Sequence, residues 1–228
     1  MKLFELLDSP VQLIMYDLDG TLVDSVPDLA IALDKMLTDL NLPAAGIEKT
    51  RLWVGNGIPS LVRRALADDM MGDQPGVVDQ ETFSKALERF KHHYAIEVGQ
   101  HSALYSGVFS FLSQIHKAGI KQAVVTNKSE IFTELLLKHM GIDHFFELSI
   151  GGDSLNEKKP HPMPLHHTME HFGCNTQNSI MIGDSSNDVK AARAAGVKVV
   201  GLPYGYNHGE PIESSHPDSV VESLTDLL

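Results

Sequence analysis

Two carboxylates one residue apart, Asp17 and Asp19, open the run Asp17-Leu18-Asp19-Gly20-Thr21. Side chains this close repel each other, and both ionise only with a cation between them or with one kept protonated. Such an arrangement costs stability and suits a metal-assisted reaction. The apolar run before it, Val11 to Tyr16 after Pro10, reads as a buried strand of a parallel sheet. In open sheets of that kind ligands bind beyond the carboxyl ends of the strands. A polar turn explains the same residues when they are taken alone. A calcium loop does not, since its glycine comes later in the loop than Gly20 does here.

Matching groups recur where later strands must end. Val124-Val125-Thr126-Asn127-Lys128 closes one apolar run with a hydroxyl and an amide. Ahead of a helix start at Ser129 or Glu130, they form either a cradle for phosphate oxygens or a plain strand-to-helix cap. In the segment Asn156 to Pro162, Pro160 restricts Lys159 and gives its ammonium a defined direction. It is either a charge neutraliser near the aspartates or part of a solvated basic turn. Gly183-Asp184-Ser185-Ser186-Asn187-Asp188 follows another strand, with Asp184 at the tip and Asp188 where a helix begins. Acids there also serve as simple caps. Each group has an ordinary structural reading; all four in order, each closing a strand, do not.

The elements that must hold these groups follow from hydrophobic spacing. After Leu22 the period changes to helical, with Asp24 or Ser25 as cap and Leu29, Leu33, Met36, Leu37 and Leu40 as a stripe. From Ile47 to about Gly99 only helical spacing is found, so this block is an insertion. Helices and strands then alternate. Strands are expected at Lys121–Thr126, Phe145–Ile150, Ser179–Ile182 and Lys198–Val200, and a short last helix at Val220–Leu227. This predicts an α/β fold: a doubly wound parallel sheet core from residues 1–22 and 101–228, with an inserted α-helical cap over 23–100.

Composition narrows the function. With 228 residues and 43% hydrophobic content the chain buries a sizeable core. A net charge of −12 argues against a nucleic-acid partner. It also means that an anionic substrate needs local positive charge from a metal ion, a lysine and helix N-termini. The single cysteine, Cys174, allows no intrachain disulfide and fits a reducing compartment. The apolar patch at the start is too short for a secretory signal, and no stretch approaches a membrane span. The expectation is a cytoplasmic protein with no membrane partner, either monomer or homodimer. Twelve histidines invite a metal reading, but His167 and His171 lack a third ligand and read as an exposed helix face. Trp53 reads as a core anchor.

The motifs DLDGTL, VVTNK, KKPHP and GDSSND resemble those of the haloacid dehalogenase-like phosphohydrolase superfamily, over nearly the whole chain. Residues 51–66, 150–165 and 200–212 are similar to its bacterial phosphoglycolate phosphatase branch. The resemblance implies a Rossmann-like core and Mg²⁺-dependent hydrolysis of a small phosphorylated metabolite, with 2-phosphoglycolate the expected substrate. A sugar phosphatase or phosphomutase of the same superfamily is the alternative, and a non-catalytic phosphate-binding protein a third reading. It further implies Asp17 as nucleophile and Asp19 as general acid and base. Mg²⁺ would sit on Asp17, the Asp19 carbonyl and Asp184. Thr126, Asn127 and Lys159 would hold phosphoryl oxygens, with Asp188 orienting Lys159 or a metal-bound water. The paired glycines of the cap turn Gly55-Asn56-Gly57 make it the candidate for substrate choice, with Asn56 near the ligand, and Arg51, Arg63 and Arg64 either grip a carboxylate or are surface residues.

Overall fold

The computed structural model of the chain describes residues 5–7 and 9–228; much of the apolar patch read at the start lies outside them. In chain order the strands are β1 (Leu13–Tyr16), β2 (Val23–Asp24), β3 (Ala103–Leu104), β4 (Lys121–Val125), β5 (Leu148–Ile150), β6 (Ser179–Gly183), β7 (Lys198–Gly201) and β8 (Ser219–Val220). The α-helices are α1 (Val26–Asp39), α2 (Gly46–Trp53), α3 (Ile58–Ala67), α4 (Gln80–Glu97), α5 (Val108–Lys117), α6 (Glu130–His139), α7 (Met163–Phe172) and α8 (Ser186–Ala195). Six strands form one sheet in the order β5-β4-β1-β6-β7-β8, and every pairing in it is parallel.

Alternation along the strands sends side chains to two layers. Leu13, Met15, Ala123, Val125 and Met181 pack with Leu165, Met169, Val189 and Ala192 of α7 and α8. Ile14, Tyr16, Val124, Ile180 and Ile182 pack with Phe111, Leu112, Ile115 and Leu136 of α5 and α6. Each such aliphatic side chain gains roughly 1.5–3 kcal/mol on burial, which is why β1 can be apolar at every position. Its one polar atom is satisfied: Tyr16 Oη donates to Gln122 Oε1 at 3.0 Å.

Helices α1 to α4 pack on one another between β2 and β3. Phe90 and Tyr94 of α4, Leu33 and Met36 of α1 and Trp53 of α2 share their apolar interior. Ser25 occupies the N-cap position of α1, but its side chain makes no capping bond. Val26 N–H donates instead to Tyr206 Oη at 3.3 Å, and that hydroxyl also bonds Asp24.

Two short segments connect the helical block to the sheet. β2 and β3 pair antiparallel, Val23 opposite Leu104 and Asp24 opposite Ala103. Asp28, wholly buried in the first turn of α1, accepts from the N–H groups of Gly99 (2.7 Å) and His101 (2.6 Å) and from the Ser102 hydroxyl. One carboxylate thereby joins the outgoing helix to the returning strand.

Two expectations are corrected, and one pair of strands is new. The strand read over Phe145–Ile150 shortens to β5, because Asp143–Phe145 forms a 3₁₀ turn whose Phe145 ring packs edge-on against Phe109 at 5.4 Å. The last helix is replaced by β8, which extends the sheet beside β7, and a 3₁₀ turn over Leu224–Leu227 capped by Ser223. The β2–β3 pair was not expected, being too short to carry an alternation pattern.

Asp28→Ala removes the charged acceptor from the partly buried N–H groups of Gly99 and His101, a loss of about 1.5–3 kcal/mol. The melting temperature should fall clearly, as read by circular dichroism, with the sheet signal otherwise native. A variant as stable as the parent would show that this clamp holds nothing.

Candidate active site

The carboxyl ends of β1 and β6 deliver Asp17 and Asp184 side by side, since Tyr16 and Ile182 are register partners and Asp17 N–H donates to the Ile182 carbonyl at 3.0 Å. Asp188 joins them from the first turn of α8, where it completes a capping box. Its Oδ2 accepts from Ser185 N–H (3.0 Å) and Ser185 Oγ (2.7 Å). Carboxylate oxygens of Asp17, Asp184 and Asp188 all lie within 4.8 Å of one another. This is the one group of three potential ligands found among the described residues. His167 and His171 are exposed and stand apart from it.

Glycines allow this crowding. Gly20 has φ +90°, and a Cβ there would come 2.3 Å from Asp184 Oδ2, so the turn after Asp19 admits no side chain. Thr21 Oγ1 donates to Asp184 Oδ1 at 2.5 Å and Tyr206 N–H to Oδ2 at 2.6 Å.

Two buried lysines oppose the acids. Lys159 Nζ, on a side chain 1% exposed, lies 2.6 Å from Asp188 Oδ1 and 3.0 Å from Asp17 Oδ1. Asp17 Oδ1 also accepts from Leu18 N–H at 2.7 Å. Lys128 Nζ, on a side chain 2% exposed, lies 3.0 and 3.2 Å from the two oxygens of Asp19, and donates to Tyr94 Oη of α4 at 2.5 Å. Four carboxylates thus face two ammonium groups, which leaves room for a dication.

Burial pushes the Asp17 carboxyl up to about 6; Lys159 pulls it down, and Asp188 and Asp19 raise it again. Asp184 is raised well above the usual carboxylate range, first by burial and then by Asp17 and Asp188. For Lys159, burial favours the neutral amine, but Asp17 and Asp188 outweigh it and the net shift is upward. Lys128 is raised in the same way, with Asp19 and Tyr94 overcoming the burial penalty. A hard, oxygen-only donor set with excess negative charge is what a divalent cation selects, so these residues fit the metal ion that the fold implies.

Above the acids is a cavity of about 30 Å³ lined by Asp17, Asp19, Thr126, Asn127 and Lys128 below and by Leu29, Val54, Gly55, Gly57, Ile58 and Leu61 above. That is space for about one or two waters. The Gly55–Gly57 turn is fastened to the sheet side through its carbonyls. Gly55 O accepts from Asn127 Nδ2 (3.2 Å) and Asn187 Nδ2 (3.3 Å), and Asn56 O from Lys158 Nζ (2.8 Å). Asn127 Nδ2 also donates to the Lys159 carbonyl at 2.9 Å.

The structure brings Asp17, Asp19, Thr126, Asn127, Lys159, Asp184 and Asp188 to one place. The side chain of Asn56 points elsewhere, its Oδ1 accepting from Arg64 Nη2 at 3.1 Å. Arg64 is buried and also holds the Trp53 and Met70 carbonyls and Asp73. Arg63 lies over the Phe83 ring at 3.7 Å and Arg51 over Tyr206 at 5.2 Å. None of the three lines the cavity. Lys128 and Tyr94 were not singled out from the sequence. Lys128 had a signal, directly following Thr126-Asn127, whereas Tyr94 reaches the site only through the packing of α4.

A parallel sheet with acids at the tips of its central strands, a lysine among them and a helical insertion after β1 defines a group of hydrolases. The chain belongs to the haloacid dehalogenase-like hydrolase family, whose model matches residues 14–202. It is 47% identical over 216 residues to the phosphoglycolate phosphatase of Nitrosococcus oceani, covering 95% of this chain and 94% of that protein. To the phosphoglycolate phosphatase of Pseudomonas syringae pv. tomato it is 48% identical, covering 95% and 78%. A crystal structure from Haemophilus somnus, described as a predicted phosphoglycolate phosphatase, superposes with a TM-score of 0.89 at 38% identity, over 96% and 97% of the two chains.

The raised carboxyls set a pH dependence. The folded pKa of Asp17 lies above its unfolded value, so its contribution to the metal-free fold is fully present below about 4 and is lost as pH rises through about 6. A bound cation offsets that loss and must displace the proton at lower pH. The gain in melting temperature on adding Mg²⁺ should therefore be larger at pH 7.5 than at pH 5 by thermal fluorescence. An equal gain at both pH values would take these acids out of the cation site.

Proposed function

We propose that this chain is a Mg²⁺-dependent phosphomonoester hydrolase whose substrate is 2-phosphoglycolate, released as glycolate and phosphate. The observation that carries the reaction class is the Asp17 carboxylate, held by a buried lysine and next to a second acid that has its own lysine. The substrate is suggested by the two relatives bearing that name at 47% and 48% identity.

In this reading Asp17 is the nucleophile. Leu18 N–H and Lys159 occupy Oδ1, which leaves Oδ2 to attack phosphorus and form an aspartyl-phosphate. Asp19 protonates the leaving alkoxide and then takes a proton from the water that hydrolyses the intermediate. Lys159 neutralises charge on the transferring group, with Asp188 fixing its ammonium. Both oxygens of Asp188 already carry bonds, so it serves Lys159 before it serves the ion. The Thr126 hydroxyl and the Asn127 backbone hold phosphoryl oxygens. Asp17, Asp184 and the Asp19 carbonyl hold the magnesium ion, which supplies Lewis-acid charge stabilisation when bound.

Residues 23–100 act as a cap. The residues Leu29, Val54, Gly55, Gly57, Ile58 and Leu61 lie over the acids, so in this reading the cap opens for entry and closes for chemistry, and closure excludes water. The β2–β3 pair and the Asp28 clamp lie where that motion is absorbed. Asn56 acts through the backbone of its turn, whose glycines bring the first N–H groups of α3 to the rim of the cavity.

Asp17→Asn should keep the fold and lose nearly all turnover of 2-phosphoglycolate. Asp19→Asn should lose about 10²- to 10⁴-fold in rate while binding Mg²⁺ better than Asp184→Asn, because only the latter removes a side-chain donor. Turnover above a few per cent in Asp17→Asn would end the covalent reading, and equal Mg²⁺ affinities in the other two would end the ligand assignment.

A further inference from the structure

The cavity beside Asp19 has one side-chain cation on its wall, Lys128, which neutralises Asp19 and has no contact with the substrate in the chemistry above. We propose that Lys128 binds the substrate carboxylate and thereby selects phosphomonoesters whose leaving group carries an anion on the carbon bearing the ester oxygen. The inference rests on the proposed reaction.

Position carries the argument. Asp19 delivers a proton to the leaving oxygen, so the leaving group ends beside Asp19. Lys128 Nζ is 3.0 and 3.2 Å from the two Asp19 oxygens, within reach of groups one or two bonds beyond that oxygen. The other buried lysine is committed to the phosphate side by Asp17 and Asp188. Arg51, Arg63 and Arg64, the cap cations that could have gripped a carboxylate, are held by other partners away from the cavity.

Lys128 is also held in place. Tyr94 Oη accepts its proton at 2.5 Å and the Tyr94 ring centroid lies 4.8 Å from Nζ. That ring is wedged between Phe90 at 5.5 Å and Phe132 at 4.8 Å. A cation fixed this way spends little conformational entropy on binding an anion. Leu29, Val54, Ile58 and Leu61 form the apolar part of the wall, so an ion pair formed here is poorly screened. On a chain of net charge −12, this is a local site where a dianionic phosphate with an additional carboxylate meets positive charge at both ends.

Two substrates isolate the contact. Ethyl phosphate differs from 2-phosphoglycolate in having a methyl group where the latter has its carboxylate. The wild type should prefer 2-phosphoglycolate in kcat/KM, and Lys128→Met should cut that preference about 30-fold or more, mostly through KM. Lys128→Arg should restore part of it. If Lys128→Met does not fold, Tyr94→Phe takes its place, keeping the lysine but removing its clamp, and should lower the preference about 3- to 10-fold. Equal losses on both substrates, or an unchanged preference, would overturn the proposal and leave Lys128 as support for Asp19. A wild type that turns over both substrates equally would instead overturn the substrate assignment and this inference with it.

Discussion

Mutual repulsion among buried carboxylates is the constraint on which the rest of this structure depends. Asp17, Asp19, Asp184 and Asp188 meet at the tips of β1 and β6, where water is too scarce to screen them. The fold answers with fixed countercharge. Lys159 enters from the loop after β5 and Lys128 from the loop after β4, so each neighbouring connection contributes one ammonium. Thr21, Ser185 and the Tyr206 backbone add neutral donors. What remains uncompensated is the negative charge that draws in a cation, and stability given up there is recovered by the apolar layers on either side of the sheet.

The placement of the site residues was legible in the sequence because they lie at strand ends, where one-residue spacings have a fixed geometric meaning. Asp17 and Asp19 flank a single residue, and Gly183-Asp184 directly ends β6; the parallel register does the rest. Lys159 could be read because Pro160 follows it. Element boundaries were less legible where two or three residues decide them. Phe145 looks like a strand residue, yet its ring fits beside Phe109 and His116, which turns the backbone. Ser219 and Val220 become a strand only because the edge of β7 is open to them.

The helical insertion was visible as a block, but not what its residues do. Arg64 beside a glycine-rich turn suggests an anion site, whereas it closes the C-terminal ends of α2 and the segment after α3 by bonding the Trp53 and Met70 carbonyls. Tyr94 carries no sequence sign of function, since its distance from Lys128 is set by the pitch of α4 and by Phe90 and Phe132 around it. Contacts across a helical layer depend on crossing angles that spacing alone does not encode. The same layer meets the sheet through carbonyls of one turn and amide side chains of Asn127 and Asn187. These two amide bonds are neutral and of modest net strength, and Lys158 adds one charge-assisted bond to the Asn56 carbonyl.

The central place of β1 has a consequence for how the chain is made. Its two neighbours, β4 and β6, are encoded far downstream, beginning at Lys121 and Ser179. A ribosome adding ~5–20 residues per second needs on the order of 10–30 s to go from β1 to the end of β6. For that interval the most apolar strand of the protein has no complete berth, while helices α1 to α4 emerge and can already pack on one another. The nascent chain therefore presents a formed helical block before it has a sheet, and Asp17 meets Asp184 only once β6 has been made.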